Sequence, residues 1–160
     1  MNFKHSLIVF IFLFFHQTLL SAVKSEDFYR VFSSGTLNEI NLCIRDLESE
    51  VPSSRINAYR GALMMKKAGF EKVPKIKLNT FKLGHRLLET EISNDPDNTE
   101  FHFLRLAVCE RAPGLLNFKK NLHEDRNQII KGFRKLETGL QYWIEQYCKH
   151  STILTIKDLQ

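Results

Sequence analysis

The sequence predicts an all-α protein of about six helices in antiparallel pairs, folded as a single domain. From residue 36 onward, apolar residues recur at intervals of three and four, and capping motifs precede several of these stretches. No stretch shows the apolar–polar alternation that is typical of a half-buried strand. A chain of 160 residues is long enough for one hydrophobic core.

The first residues predict export. Lys4 and His5 form a basic start, and residues 6–15 are almost entirely apolar. Small residues, where a signal peptidase could cleave, occur after the apolar run up to Ser25. This is the order of a secretory signal peptide, and the apolar run is shorter than the roughly 20 residues that a membrane-spanning helix needs. We therefore expect a signal peptide over residues 1–25 and an N-terminal extension over residues 26–35. The mature chain is then periplasmic or extracellular, and we expect no transmembrane span in it.

The expected helical domain covers residues 36–150 and begins with two helices. Thr36 and Glu39 have the spacing of a capping box, so a helix starts there. Pro52 ends it, because the residue before a proline avoids helical backbone. The second helix is expected from Ser54 to Ala68, where small residues on one side favour close approach of a neighbouring helix.

Later helices follow from similar signals. A third is expected over residues 76–92, and a fourth from near Thr99 to the Pro113-Gly114 pair, with Asp97 as its candidate cap. Acidic residues at 124–125 open a further helical stretch, where the helix dipole favours them. Two alternatives stay open beyond it: one long helix, or two helices with a break within residues 132–139. The tail 151–160 has little pattern, and we expect it to be frayed.

Part of this pattern resembles tetratricopeptide (TPR) repeats. Gly61 and Gly84 suit the small positions of such repeats, and Pro96 suits the proline that ends one. The helix starts near Ser54 and Thr99 are about 45 residues apart, however, whereas the family repeats at about 34. The expected arrangement is therefore a TPR-like, right-handed helical array rather than a set of true TPR repeats.

Five short stretches carry a second resemblance: Ala58–Ala62, Asp95–Asn98, Phe103–Leu106, Ala112–Pro113 and Glu124–Asp125. In these the mature chain is similar to small exported proteins of unassigned function from Bacteroidota. The resemblance extends over most of the mature chain. It implies an exported helical protein, but no known activity and no catalytic residue.

Composition argues against several classes of function. The net charge is +5, or +3 once residues 1–25 are removed, and acidic residues are interleaved with basic ones. A nucleic-acid-binding protein would gather its basic residues on one face, so we expect no nucleic acid as partner. Cys43, Cys109 and Cys148 form no Cys-X-X-Cys pair. We expect three buried free thiols, with one disulfide and one free thiol as the alternative, and we expect no cofactor.

Arg105 is the sharpest candidate for a functional residue, because it interrupts an otherwise apolar run. A buried charge must be paired, since leaving it alone costs several kcal/mol. Glu124 and Asp125 begin the next helix and are the candidate partners, so we expect a structural clamp. Contact of Arg105 with an anionic ligand is the alternative. His102 and His123 lack the spacing of zinc ligands, and we expect no metal.

Two functions are compatible with the sequence. The first is an exported cell-envelope module that binds a protein or peptide partner, because helix pairs create grooves. The alternative is an uncharacterised enzyme or a small-anion-binding protein with a site around Arg105, His102 and His123. A run of basic residues also allows contact with anionic components of the envelope. These residues are Lys66, Lys67, Lys72, Lys75, Lys77 and Lys82.

Overall fold

The computed structural model describes residues 23–112 and 118–160 of the chain. Within these ranges there are seven α-helices and no strand, so the predicted all-α class is confirmed, with one helix more than about six. The helices, in chain order, are α1 Ser25–Ser34, α2 Leu37–Ser49, α3 Ser54–Ala68, α4 Pro74–Asn94, α5 Thr99–Cys109, α6 Leu122–Gly132 and α7 Thr138–Cys148. Two 3-10 turns, Phe133–Lys135 and Ile156–Leu159, complete the regular structure in these ranges.

The additional helix is α1, where the sequence predicted only an extension. Its apolar side chains are buried, and the Phe28 ring stacks on Tyr59 of α3 with 3.6 Å between ring centroids. No side chain caps its N-terminus, so the motif that revealed other helices is missing here. Residues 1–22 of the predicted signal peptide lie outside the described residues.

Helix α2 begins with the predicted capping box. The Thr36 hydroxyl accepts a hydrogen bond from the Glu39 amide at 3.3 Å, and a Glu39 carboxylate oxygen accepts one from the Thr36 amide at 2.9 Å. Helix α3 begins as predicted at Ser54, and the Ser53 hydroxyl accepts a hydrogen bond from the Ile56 amide. Side chains of the sequence therefore satisfy amides that a helix N-terminus leaves unpaired.

Helices α3 and α4 form the most extensive helix–helix contact among the described residues, and two glycines make it possible. A Cβ added at Gly61 would lie 2.7 Å from the Gly84 carbonyl oxygen, and one added at Gly84 would lie 2.4 Å from the Gly61 carbonyl oxygen. Gly61 also faces the amide of Leu88, while Gly84 faces that of Met65, so the helices run antiparallel. The expectation that small residues allow close approach is confirmed.

Helix α5 is the central helix, in contact with α3, α4, α6 and α7. Ten of its eleven residues are buried. Its cap is Asn98, whose side chain accepts a hydrogen bond from the Phe101 amide, so the prediction of Asp97 as cap is wrong. The helix ends at Cys109, before the Pro113-Gly114 pair, which lies outside the described residues.

The last part of the domain contains two helices rather than one. The 3-10 turn after Gly132 separates α6 from α7, so the break lies within residues 132–139. The tail is packed, contrary to the expectation that it is frayed: Leu154 and Leu159 are buried, and Asp158 pairs with Arg126 of α6. These two leucines follow the last helix-period pattern of the sequence, so no local signal predicted their burial.

All seven helices contribute to one hydrophobic core. Three polar side chains of α1 and α3 also converge on Glu100 at the start of α5. Tyr29 and Tyr59 donate hydrogen bonds to its carboxylate at 2.8 and 2.7 Å, and Arg55 lies 3.1 Å from it. None of the described helices has the length and apolar character needed to cross a membrane.

Candidate functional site

The predicted contact between Arg105 and Asp125 is present and fully enclosed. Arg105 is 3% exposed, and its Nη2 donates to Asp125 Oδ1 at 2.6 Å. Its Nε donates to the same carboxylate at 2.9 and 3.1 Å. The guanidinium of α5 therefore grips the first turn of α6 in two places, as the planar fork of arginine allows.

His102 extends this contact. Its Nδ1 lies 2.7 Å from Asp125 Oδ1, and its Nε2 lies 2.8 Å from the carbonyl oxygen of Pro96. Both neighbours of the ring accept hydrogen bonds, so both ring nitrogens must donate, which makes His102 an imidazolium. Burial alone lowers the pKa of His102, but the hydrogen bonds that the ring donates to Asp125 and to the Pro96 carbonyl outweigh it and raise the pKa above its usual 6.5.

The other residues around Arg105 differ from the predicted partners. Glu89 of α4, which the sequence analysis did not single out, accepts a hydrogen bond from Arg105 Nη1 at 2.9 Å. Glu124 is a minor partner, because it is 58% exposed and 3.6 Å from Arg105 Nη2. His123 is exposed and makes no described contact with these residues. We call His102, Arg105, Asp125 and Glu89 the charged cluster.

The charged cluster has two cations and two carboxylates, and its members satisfy one another. No residue of the cluster lines either of the two cavities described below. A site for an anionic ligand needs an accessible, unsatisfied cation, and Arg105 is neither accessible nor unsatisfied. The geometry is that of a clamp between α4, α5 and α6. Within the described residues no group of His, Cys, Asp or Glu side chains is placed to hold a metal ion.

A polar groove of about 830 Å³ lies where α3 and α5 begin. Its wall has charges of both signs, and four of these charges form two ion pairs. Lys131 contacts Asp97 at 2.9 Å, and Arg55 contacts Glu100 at 3.1 Å. The groove therefore shows no preference for a ligand of either charge.

A second cavity, of about 1050 Å³, is different in character, and we call it the aromatic cavity. It lies among α1, α3, α4, α5 and α7, and most of its wall is apolar. Six of its aromatic side chains are Tyr29, Phe32, Phe81, Phe103, Trp143 and Tyr147. Its volume lies just above the range of about 300–1,000 Å³ that small-molecule sites occupy.

The charged groups on the wall of the aromatic cavity are all basic. They are Lys66, Lys77 and Arg111, with His150 beside them, and no aspartate or glutamate is among the described lining residues. Arg111 has no salt bridge within the described residues. Glu110, its neighbour in sequence, accepts hydrogen bonds from Tyr147, Ser151 and Thr152 instead.

Lys66 shows that positive charge is concentrated here. Its Nζ donates to the carbonyl oxygen of Ser33 at 2.9 Å and also to that of Phe32, at the C-terminal end of α1. Burial lowers the pKa of Lys66, and the like charge of Arg111 lowers it further. Two cations near one another without a carboxylate on the wall form an environment that favours a bound anion.

No protein-family model, curated protein or solved structure matches this chain. The interpretation of the aromatic cavity therefore depends on its own geometry and charge. No local pattern in the sequence predicted this cavity. In the sequence, Lys66 and Lys77 are recognisable only as members of a basic run. The aromatic residues of α1 and α7 are too far apart in sequence to give a local signal.

Proposed function

We propose that this chain is a binding module of the cell envelope, not an enzyme, and that its ligand is an organic acid with a long apolar body, such as a fatty acid. One observation carries the proposal: the aromatic cavity combines an apolar wall with basic side chains and, among its described residues, no carboxylate. The apolar body would lie against the rings of α1, α5 and α7. The acid group would face Lys66 and Arg111.

The composition of the wall favours an acyl chain over a peptide main chain inside the cavity. Every peptide unit that enters must keep a donor and an acceptor satisfied, and unsatisfied groups destabilise the complex. The wall offers few suitable side chains besides its cations, mainly Ser33, Gln146 and tyrosine hydroxyls. An acyl chain needs no such partners, and each buried methylene contributes about 0.8 kcal/mol.

The anion site of this proposal differs from the one that the sequence suggested. Arg105 and His102 are enclosed and paired, whereas Arg111 is exposed at the cavity. The small-anion alternative therefore moves from the charged cluster to the pair Lys66 and Arg111.

Trp143 gives a direct assay, because it is the only tryptophan in the sequence and it lines the cavity. Titration of the purified chain with saturated carboxylic acids of increasing length should change its fluorescence. Affinity should rise by about 15-fold for every two methylenes until the cavity is filled. The methyl ester of the same acid should bind at least about tenfold more weakly, because it has no charge for the cations.

Arg111→Gln is the decisive variant, since Arg111 is exposed and its replacement should leave the fold intact. Binding of the acid should weaken by at least about tenfold, while binding of the ester stays unchanged. Arg45→Gln is the matched control, because Arg45 is also exposed but does not line the cavity. Equal affinity for acid and ester, or no fluorescence change with any acid, would refute the proposal.

A protein or peptide partner is the second candidate, and Tyr142 favours it. This residue is 53% exposed on the wall of the aromatic cavity, in edge contact with Trp143, and aromatic residues of this kind are enriched at protein interfaces. In that case a TPR-like array would present the cavity to side chains of the partner. A pull-down from envelope extract with the wild type and Tyr142→Ser would identify a partner that depends on this residue.

Export is part of both candidates and is supported by the basic start and the apolar run of residues 6–15. Expressed with its own leader, the protein should be recovered outside the cytoplasm, about 22–25 residues shorter by intact mass. An uncleaved chain that stays with the membrane would contradict this part of the proposal.

A further inference from the structure

Residues 69–77, which connect α3 to α4 and include the first turn of α4, form the most exposed nine-residue stretch with large apolar side chains in the described part of the chain. We call this stretch the α3–α4 turn. Of these nine residues only Glu71 is partly buried, and the other eight are exposed. Phe70 is 46% exposed, Val73 50% and Ile76 48%. Three of the nine large apolar side chains exposed in the described residues therefore fall within seven positions.

Lysines separate these apolar residues. Lys72, Lys75 and Lys77 are exposed, and none makes a salt bridge within the described part of the chain. Glu71 is the only acidic residue of the turn. The turn thus combines two features that separately give weak membrane attachment and together give stable attachment: apolar side chains and unpaired basic charge.

We infer that the α3–α4 turn docks on an anionic lipid surface. Phe70 and Val73 enter the boundary between headgroups and acyl chains, and the lysines stay at the level of the lipid phosphates. Lysine is suited to this position, because its long apolar stem can be buried while the ammonium stays in the polar layer. A lipid surface fits better than a protein partner, because it satisfies basic charge and apolar side chains without a defined geometry.

Docking in this way would place the aromatic cavity at the membrane. Gly69, Pro74 and Lys77 belong to both the turn and the cavity wall. An amphiphile could then pass between membrane and cavity without crossing water. The docking inference itself does not rest on the proposed function, because the side chains it depends on most, Phe70 and Val73, do not line the cavity.

Co-sedimentation of the purified full chain with lipid vesicles tests the inference. The chain should bind vesicles that contain phosphatidylglycerol and not vesicles of phosphatidylcholine alone, and added salt should weaken binding. Phe70→Ser with Val73→Ser should reduce binding by more than about tenfold. Lys72→Gln with Lys75→Gln should reduce it by about 25-fold, at about fivefold for each lysine.

Matched controls keep the result specific to the turn. Leu42→Ser with Val51→Ser removes two exposed apolar side chains elsewhere, and Lys135→Gln with Lys157→Gln removes two exposed lysines elsewhere. Neither control should change vesicle binding, and circular dichroism should be the same for all variants. Arg111→Gln should also bind vesicles normally, so a failure of the cavity proposal is distinguishable from a failure of docking. Absence of vesicle binding, equal binding to both vesicle types, or equal losses in the controls would overturn the inference.

Discussion

Asp125→Asn removes a charge that two buried cations share. The Asp125 side chain is 0% exposed, and it accepts hydrogen bonds from both Arg105 and His102. The substitution keeps the shape of the side chain but leaves Arg105 with the carboxylate of Glu89 at 2.9 Å and that of the exposed Glu124 at 3.6 Å. Breaking a buried pair of this kind costs about 3–5 kcal/mol of unfolding free energy. His102 can limit the loss by releasing its proton, so we expect the lower half of that range.

Arg105→Met tests the same contact from the other side. It leaves the buried Asp125 carboxylate with His102 alone, and we expect a loss of about 3–5 kcal/mol. Combining it with Asp125→Asn removes both charges of the pair, so the double variant should lose less than the sum of the single variants, by about 0.5–3 kcal/mol. Glu124→Gln is the control: Glu124 is 58% exposed, so its replacement should change stability by no more than about 0.5 kcal/mol.

Urea denaturation at one fixed pH measures all four variants, and an unchanged slope with urea concentration shows that the comparison is valid. Strictly additive losses for Arg105→Met and Asp125→Asn would mean that the side chains are not coupled. A loss in Glu124→Gln as large as that in Asp125→Asn would mean that the wrong carboxylate was assigned. A fully stable Arg105→Met variant that no longer binds a ligand would make Arg105 a ligand contact and refute the clamp.

Three further predictions concern other parts of the fold. Gly84→Ala should destabilise by about 1–3 kcal/mol, because its Cβ would meet the backbone of α3, whereas Gly139→Ala, with nothing within 4 Å of the added Cβ, should be neutral or stabilising by thermal denaturation. The pKa of His102 is raised on folding, so its protonated form stabilises the fold. This contribution is complete below pH 6.5, the usual pKa of histidine, and is lost as the pH rises through the folded-state pKa. The difference in unfolding free energy between wild type and His102→Gln should therefore shrink with rising pH; His85, whose pKa is lowered chiefly by burial, acts in the opposite direction and is common to both proteins. Burial raises the pKa of the thiols of Cys43, Cys109 and Cys148 to about 11, 12 and 11, so none should react with iodoacetamide in the native protein and all three should react in urea; a mass lower by two hydrogens without reductant would show a disulfide.

The helices that the sequence predicted well are those with a local signal at their start. Thr36 and Glu39 are three residues apart and form their capping box within one turn, so no tertiary information is needed. Helix α1 has no such cap, and its apolar side chains gain their stability from contact with α3. The formation of this helix therefore depends on residues about 30 positions away in sequence, as the stacking of Phe28 on Tyr59 shows.

The charged cluster was partly predictable, because a charge in an apolar helix must find a partner and acidic residues follow at the next helix start. The choice between Glu124 and Asp125 was not, since it depends on the rotation of α6 about its axis. Glu89 was also out of reach, because α4 meets α5 through tertiary packing alone. The aromatic cavity was the least predictable feature. Five helices contribute to its wall, and each adds only a few residues that form no local motif.

The clamp and the aromatic cavity share α5, and this allows their roles to be separated. Phe103 and Ala107 line the cavity, whereas His102 and Arg105 point to the charged cluster. If Arg105 only holds α5 in place, the folded Arg105→Met variant keeps an intact cavity. A ligand at 100 times its dissociation constant raises the unfolding free energy by about 2.7 kcal/mol, and this gain should be the same in wild type and Arg105→Met. In Arg111→Gln the same ligand concentration should give a smaller gain, because the affinity itself is reduced. A gain that disappears in Arg105→Met but persists in Arg111→Gln would reverse the assignment and make the charged cluster the binding site.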